Sequence, residues 1–340
     1  MAVSMMMLPR ERRRHAVTGT HDGVRTAMDL DTTLTRIKDR QWTLADIDWD
    51  APGAETIAEA FKPKLKAFMA DLAWIENVGA RGFAALARKA EDPTLAEIYR
   101  YFHAKEQRHA NAELALMKRW GMLEEGEMPE PNVNIRLAMD WLDRYADEMS
   151  MSTLGTVIPM LEVALDGALL KFLLDEVHDP VCDKVFEKIN NDESRHIAVG
   201  FEVLDRLGHS RMRRILIDFV GTVASPGLII GALMYIPLLN RILQEMVGMG
   251  FQAERLYDSM DRFKKLGARG THTKRMPLYH VVKWHSNLVV NRWYPYQLLA
   301  DVMVKASDFI PSRLLPNVPT WFNEITHVPV SRGTERKAAA

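Results

Sequence analysis

Two copies of one short pattern limit what this chain can fold into. Glu106-Gln107-Arg108-His109 and Glu193-Ser194-Arg195-His196 share the spacing Glu-x-x-His, and each follows a lone glutamate, Glu76 or Glu162. The separations repeat. Glu76 to Glu106 is 30 residues and Glu162 to Glu193 is 31, with an Asp-Pro pair in each interval, Asp92-Pro93 and Asp179-Pro180. An aspartate that caps a helix, followed by proline at its first position, is a start signal, because proline lacks only an N–H that would be orphaned anyway. Each Glu-x-x-His begins 13 residues after its proline, and the upstream glutamates lie 17 and 18 residues before it on a returning helix. At the helical rise that depth is about 20 Å, so the four segments meet at one level.

A three-residue step leaves Glu and His about 60° apart on the helical wheel, so both look the same way. Two antiparallel hairpins then offer Glu76, Glu106, Glu162, Glu193, His109 and His196 to a common centre. Four ionised carboxylates facing one another in a core are costly, and two divalent cations would neutralise them. Oxygen-rich ligation with two imidazoles suits iron or manganese better than a metal that prefers thiolate, while zinc remains open. A third copy of the spacing, Glu324-Ile325-Thr326-His327, sits between Pro319 and Pro329 without helical periodicity and reads as a loop.

On these residues the chain resembles the ferritin-like di-iron carboxylate superfamily, in particular the Glu-x-Arg-His branch of acyl-carrier-protein desaturases and bacterial monooxygenase hydroxylase subunits. The likeness covers about residues 55 to 207 and is carried by Glu76, Glu106 to His109, Glu162 and Asp192 to His196. It implies an all-α, ferritin-like four-helix bundle with a long crossover between helices two and three, two Fe ions with Mn as the alternative, and O2 as co-substrate. Three departures narrow it. Glu113 stands where ribonucleotide reductase subunits keep a radical tyrosine, and Leu165 and Asp166 stand where desaturases and hydroxylases keep a threonine. Asp166 is therefore either a proton relay or a hydrogen-bonding partner of a neighbouring helix. Asp192 matches the acid that orients a ligand histidine, here His109, but its counterpart in the first half is Lys105.

The helices are expected from about Ala54 to Ala90, from Pro93 past Leu116, around Leu154 to Phe172 with Pro159 marking or kinking the first turn, and from Pro180 to near Gly208. Glu162 follows His109 by 53 positions, far more than a tight turn needs, so the second and third bundle helices run parallel. Glu113 reads as a partly solvated acid near a helix end. Residues 1–50 divide into a mobile arm and a strap whose tryptophans, Trp42 and Trp49, serve as core anchors; 51–208 form the bundle; and 209–340 add further helices.

A net charge of -1 over 340 residues gives no nucleic-acid signal, and one cysteine, Cys182, rules out an internal disulfide and any Cys-x-x-Cys centre. The reducing cytoplasm is the expected compartment, at the membrane periphery if the C-terminal third touches lipid. That third opens with Arg211, Arg213 and Arg214 before the uncharged run 219–239, interrupted by Pro226, Gly227 and Pro237. The run reads as a buried helix pair, a membrane-surface hairpin or a span. Arg262, Lys264, Lys265, Arg269, Lys274 and Arg275 then form a basic stretch suited to a solvated loop or to an acidic carrier, a reductase or anionic lipid.

The expectation is a homodimeric di-iron oxidoreductase that activates O2 to desaturate or hydroxylate a small hydrophobic substrate, acyl chains included. No Gly-x-Gly-x-x-Gly fingerprint is present, so electrons would come from a separate ferredoxin or reductase. A ferroxidase and a metal-stabilised scaffold that binds membrane or partners are the alternatives.

Overall fold

The computed structural model describes residues 28–124, 126–165, 171–250, 255–290, 293–319 and 321. The N-terminal arm up to residue 27, Asp166 and the loop from Glu324 to His327 lie outside them. Among the described residues the secondary structure is helical throughout: α1 (Leu30–Asp39), α2 (Lys62–Lys89), α3 (Pro93–Arg119), α4 (Val133–Tyr145), α5 (Met151–Leu165), α6 (Lys171–Glu176), α7 (Pro180–Gly208), α8 (Met212–Ala224), α9 (Pro226–Gly248), α10 (Arg255–Arg269), α11 (Pro277–Val290) and α12 (Tyr294–Asp308).

Both Asp-Pro signals act as read. Asp92 Oδ1 accepts the backbone N–H groups of Thr94 and Leu95, and Asp179 Oδ1 accepts that of Val181. These carboxylates satisfy donors that the first turns of α3 and α7 leave open. Asp179 also receives Arg119 Nε at 2.9 Å and Trp120 Nε1 at 2.8 Å, tying the end of α3 to the start of α7. The first bundle helix starts later than expected. Ala54–Thr56 forms a separate 3-10 turn, and α2 begins at Lys62 with Pro63 in its first turn, where a missing N–H costs nothing.

Register fixes the topology. A Cβ on Gly82 of α2 would lie 2.9 Å from Ile158 of α5, and one on Gly200 of α7 would lie 2.5 Å from the Pro159 ring. Going forward from Glu76 to Gly82 therefore matches going backward from Glu162 to Ile158, so α2 and α5 are antiparallel. Since α2 is also antiparallel to α3, α3 and α5 run the same way, and α4 lies in the long crossover that this arrangement requires. Pro159 sits inside α5, not at its start. Its ring occupies the space left by Gly200, which lets α5 approach α7 closely beside the glutamate three residues on.

Two large apolar clusters fill the bundle on either side of the central polar level, one containing Leu65, Phe68, Met117 and Phe186, the other Phe83, Ile98, Phe102 and Val199. A third, around Val163, Ile215, Phe263 and Met276, packs α8, α10 and α11 onto the outside of α5 and α7. The run 219–239 is a bent pair: α8 and the body of α9 meet at 67°, and among the described residues no single helix is long and apolar enough to cross a membrane. The bend falls at Ser225, which Pro226 holds in an extended conformation and so out of the helix.

Candidate metal centre

The six sequence-predicted side chains converge midway along the bundle. Glu76 comes from α2, Glu106 and His109 from α3, Glu162 from α5, and Glu193 and His196 from α7. Ligand atoms of Glu76, Glu106, His109 and Glu193 all lie within 4.8 Å of one another, and so do those of Glu106, Glu162, Glu193 and His196. Glu106 and Glu193 belong to both groups. The two imidazoles lie 6.1 Å apart, centroid to centroid. Glu162, the most accessible member, has a side chain only 10% exposed.

The donor atoms crowd together, and several of them are not hydrogen-bonded to one another. His109 Nδ1 lies 2.9 Å from Glu193 Oε1 and 3.4 Å from Glu76 Oε2. His196 Nδ1 lies 2.9 Å from Glu106 Oε1 and 3.0 Å from Glu193 Oε2. Of these approaches His196 Nδ1 to Glu193 Oε2 is a hydrogen bond, whereas Glu106 Oε1, Glu193 Oε1 and His109 Nδ1 have no hydrogen-bond partner. Buried polar atoms without partners are rare in folded proteins and call for a ligand or ion. A pair of divalent cations fits this donor set: four carboxylates and two neutral imidazoles supply hard oxygen and borderline nitrogen ligands in two overlapping groups.

Electrostatics record the same crowding. Burial, and after it the charges of Glu193, Glu76 and Glu162, push the Glu106 carboxyl well above the usual range. Burial and Glu193 do the same to Glu162. Burial alone would raise Glu76, but the His109 imidazole beside it outweighs this and holds that carboxyl low. His109 is opposed by burial yet driven well above the ordinary imidazole value by Asp192, Glu193 and Glu76. His196, buried with fewer compensating partners, is drawn down.

The surroundings of the two histidines differ. Asp192 Oδ2 faces His109 Nε2 at 3.3 Å and accepts Trp42 Nε1 at 2.8 Å, while its Oδ1 receives Lys105 Nζ at 2.6 Å. By the internal repeat, the residue that would orient His196 is Lys105. A lysine cannot accept a proton from an imidazole, and His196 Nε2 accordingly has no partner. Phe102 and Phe83 instead cover that ring, with centroids 4.1 and 5.1 Å away. One end of the centre is therefore polar and strapped by Trp42, and the other is walled by aromatics.

Two expectations need correction. Glu113 is not a partly solvated helix-end acid: it is fully buried one turn beyond His109, and neither carboxylate oxygen has a partner. Helix α3 continues to Arg119, so Glu113 stays inside the bundle, where burial first and the nearby Glu76 charge next push its carboxyl well up. Trp42 is more than a core anchor, since it reaches the carboxylate behind His109. No periodicity marks that role, because Trp42 belongs to neither repeat; only its indole N–H, a polar tip that seeks a partner when buried, could have pointed to it.

The helix order, register and ligand pattern are those of a ferritin-like di-metal carboxylate bundle. No protein-family model matches the chain, and no curated protein matches it. Among solved structures it is similar to variants of an R2-like ligand-binding oxidase. One, with an aerobically reconstituted Mn/Fe cofactor, shares 16% identity at a TM-score of 0.49, covering 75% of this chain and 98% of that one. Another, with an aerobically reconstituted Fe/Fe cofactor, shares 16% identity at a TM-score of 0.48, covering 80% of this chain and 98% of the other.

Proposed function

We propose that the chain is a di-iron oxidoreductase, with Mn/Fe as the alternative metal pair, that uses O2 to desaturate or hydroxylate a hydrophobic substrate. The observation that carries this reading is the sharing of Glu106 and Glu193 between two buried donor groups, each completed by one histidine and one further glutamate. Glu76 and His109 would complete one metal position, and Glu162 and His196 the other. When bound, such a metal pair supplies redox chemistry that no protein side chain offers.

The residues of the chain divide the remaining work. Glu106 and Glu193 keep the two positions together. Asp192 holds the His109 ring through Nε2, leaving Nδ1 toward the centre. Phe83 and Phe102 exclude water from the His196 end, which favours approach of an apolar substrate there. Asp166, four residues after Glu162, is assigned from sequence alone as the group that holds and passes a proton.

Dioxygen takes up four electrons, two from the substrate and two from a separate donor protein such as a ferredoxin or reductase. Hydroxylation leaves one oxygen atom in the product and one in water; desaturation leaves both in water. Anaerobic Fe(II) loading followed by oxygen exposure in the presence of free or carrier-bound acyl chains tests the reading. A transient absorbance band and a product that has lost two hydrogens or gained one oxygen are expected. Consumption of Fe(II) and oxygen with every candidate substrate recovered intact would favour a ferroxidase instead, and no oxygen reactivity would leave the metal-stabilised scaffold.

A further inference from the structure

Helix α8 is apolar on both sides. Ile215 and Thr222 point into the protein, while Leu216, Ile217, Val220 and Val223 on the opposite side are 49 to 59% exposed. Past the bend, the first two turns of α9 continue the surface with Ile229, Ile230 and Leu233, each 42 to 53% exposed. These side chains are not needed for packing. The inward face of α9 is built from small residues: a Cβ on Gly227 would lie 2.8 Å from Tyr145, and one on Gly231 would overlap the Trp141 ring, so α9 lies flush on α4. Helix α11, which packs on α8, carries Trp284, 62% exposed.

The exposed charges of α8 have one sign. Arg211, Arg213 and Arg214 are all exposed at the start of α8, and the one acid of the helix, Asp218, is partly buried. Were a second copy to cover the patch, the three guanidinium groups would face their own copies or bare apolar surface, with the partly buried Asp218 as the one carboxylate of this helix to receive them. A bilayer suits both features: apolar side chains enter the acyl region, arginines reach up to phosphates, and an exposed tryptophan sits at headgroup level.

We propose that the bent tip formed by α8 and the first turns of α9 docks on an anionic lipid bilayer as a wedge in one leaflet. Because α8 packs on α5, the helix that carries Glu162, docking seats that side of the bundle toward the membrane. The geometry of docking stands by itself; that it delivers a greasy substrate rests on the function proposed above.

The full chain, metal-loaded, is sedimented with phosphatidylcholine vesicles and with vesicles containing one third phosphatidylglycerol. Wild type is expected to sediment with the anionic vesicles and several-fold less with the neutral ones. Arg213→Ala and Arg214→Ala should each weaken binding roughly fivefold. Ile217→Ser with Val220→Ser should weaken it more than about tenfold, at unchanged metal content and melting temperature, because both side chains face solvent. Wild type remaining in the supernatant with anionic vesicles overturns the proposal. So does a double variant that sediments as before but changes from dimer to monomer in size-exclusion chromatography, which assigns the patch to a second copy. Vesicle binding by a protein without oxygen reactivity would uphold the docking and sink the oxidase reading, and the converse result would separate them the other way.

Discussion

Lys105 Nζ lies 2.6 Å from Asp192 Oδ1, and both side chains are wholly removed from solvent. The pair joins α3 to α7 directly behind His109, since the other oxygen of Asp192 faces that ring. Burial would raise the Asp192 carboxyl, but hydrogen bonding to His109 and the Lys105 charge outweigh it and hold it well below its usual range. Burial in turn draws Lys105 down to about 8, which still leaves it protonated at neutral pH.

Removing Asp192 leaves the buried Lys105 charge uncompensated, which costs about 3 to 5 kcal/mol, whereas removing Lys105 still leaves Asp192 bonded to Arg195 and Trp42. Asp192→Leu is therefore expected to be more destabilising than Asp192→Leu combined with Lys105→Met, as read by urea unfolding. Asp192→Asn should also lower metal affinity by about 10- to 100-fold through loss of the carboxylate behind the ligand histidine. Additive unfolding costs would show that the two side chains are not coupled.

Glu113 is the opposite case, a buried carboxyl with nothing to receive it. Replacing such a group by an apolar one of similar size removes a desolvation cost of about 1 to 3 kcal/mol. Glu113→Leu is expected to raise the melting temperature of the metal-free protein and to leave its metal content unchanged. A lower melting temperature, or loss of a metal, would show that Glu113 takes part in the centre.

The crowded carboxylates predict a pH dependence. Glu106 and Glu162 are lifted well above the ordinary value of 4.5, first by burial and then by neighbouring carboxylates. The folded metal-free chain thus holds protons that the unfolded chain releases. Their contribution to stability is complete below pH 4.5 and is lost as pH rises through the raised folded values. Glu113 is raised in the same way, while Glu76 and Asp192, held low against their burial, run the other way and contribute above their ordinary values, two groups against three. Metal-free protein should therefore melt at lower temperature as pH rises toward neutrality, while metal-loaded protein, whose ions take the place of those protons, should not. Calorimetry in buffers of differing ionisation enthalpy should show proton release on metal binding; equal pH profiles with and without metal would contradict the assignment.

The convergence of the six side chains was legible because its signal is periodic and repeated. Each of the six is placed by helical spacing, and each Asp-Pro pair sets where its helix begins, so depth along the bundle follows from counting residues. What surrounds the centre was legible only in part. Asp192 and the mismatch at Lys105 were visible as a broken repeat, but that the lysine pairs with that same aspartate depends on how α3 and α7 face each other. Glu113 was misjudged because helical spacing places it in the sixth turn of α3 without showing which neighbouring helices cover that turn. The bend between α8 and α9 could be read from Pro226, whereas the exposure of Ile217 and Val220 could not, since an apolar stretch looks the same whether a neighbour covers it or not.

Metal analysis of native protein tests the central claim most directly, because Glu106 and Glu193 are common to two donor groups. The expected result is about two equivalents of iron, or of iron and manganese together, per chain, falling to about one in His196→Ala while the protein stays folded by circular dichroism. One equivalent or fewer in wild type, or two equivalents retained in His196→Ala, would contradict a dinuclear centre held by these residues.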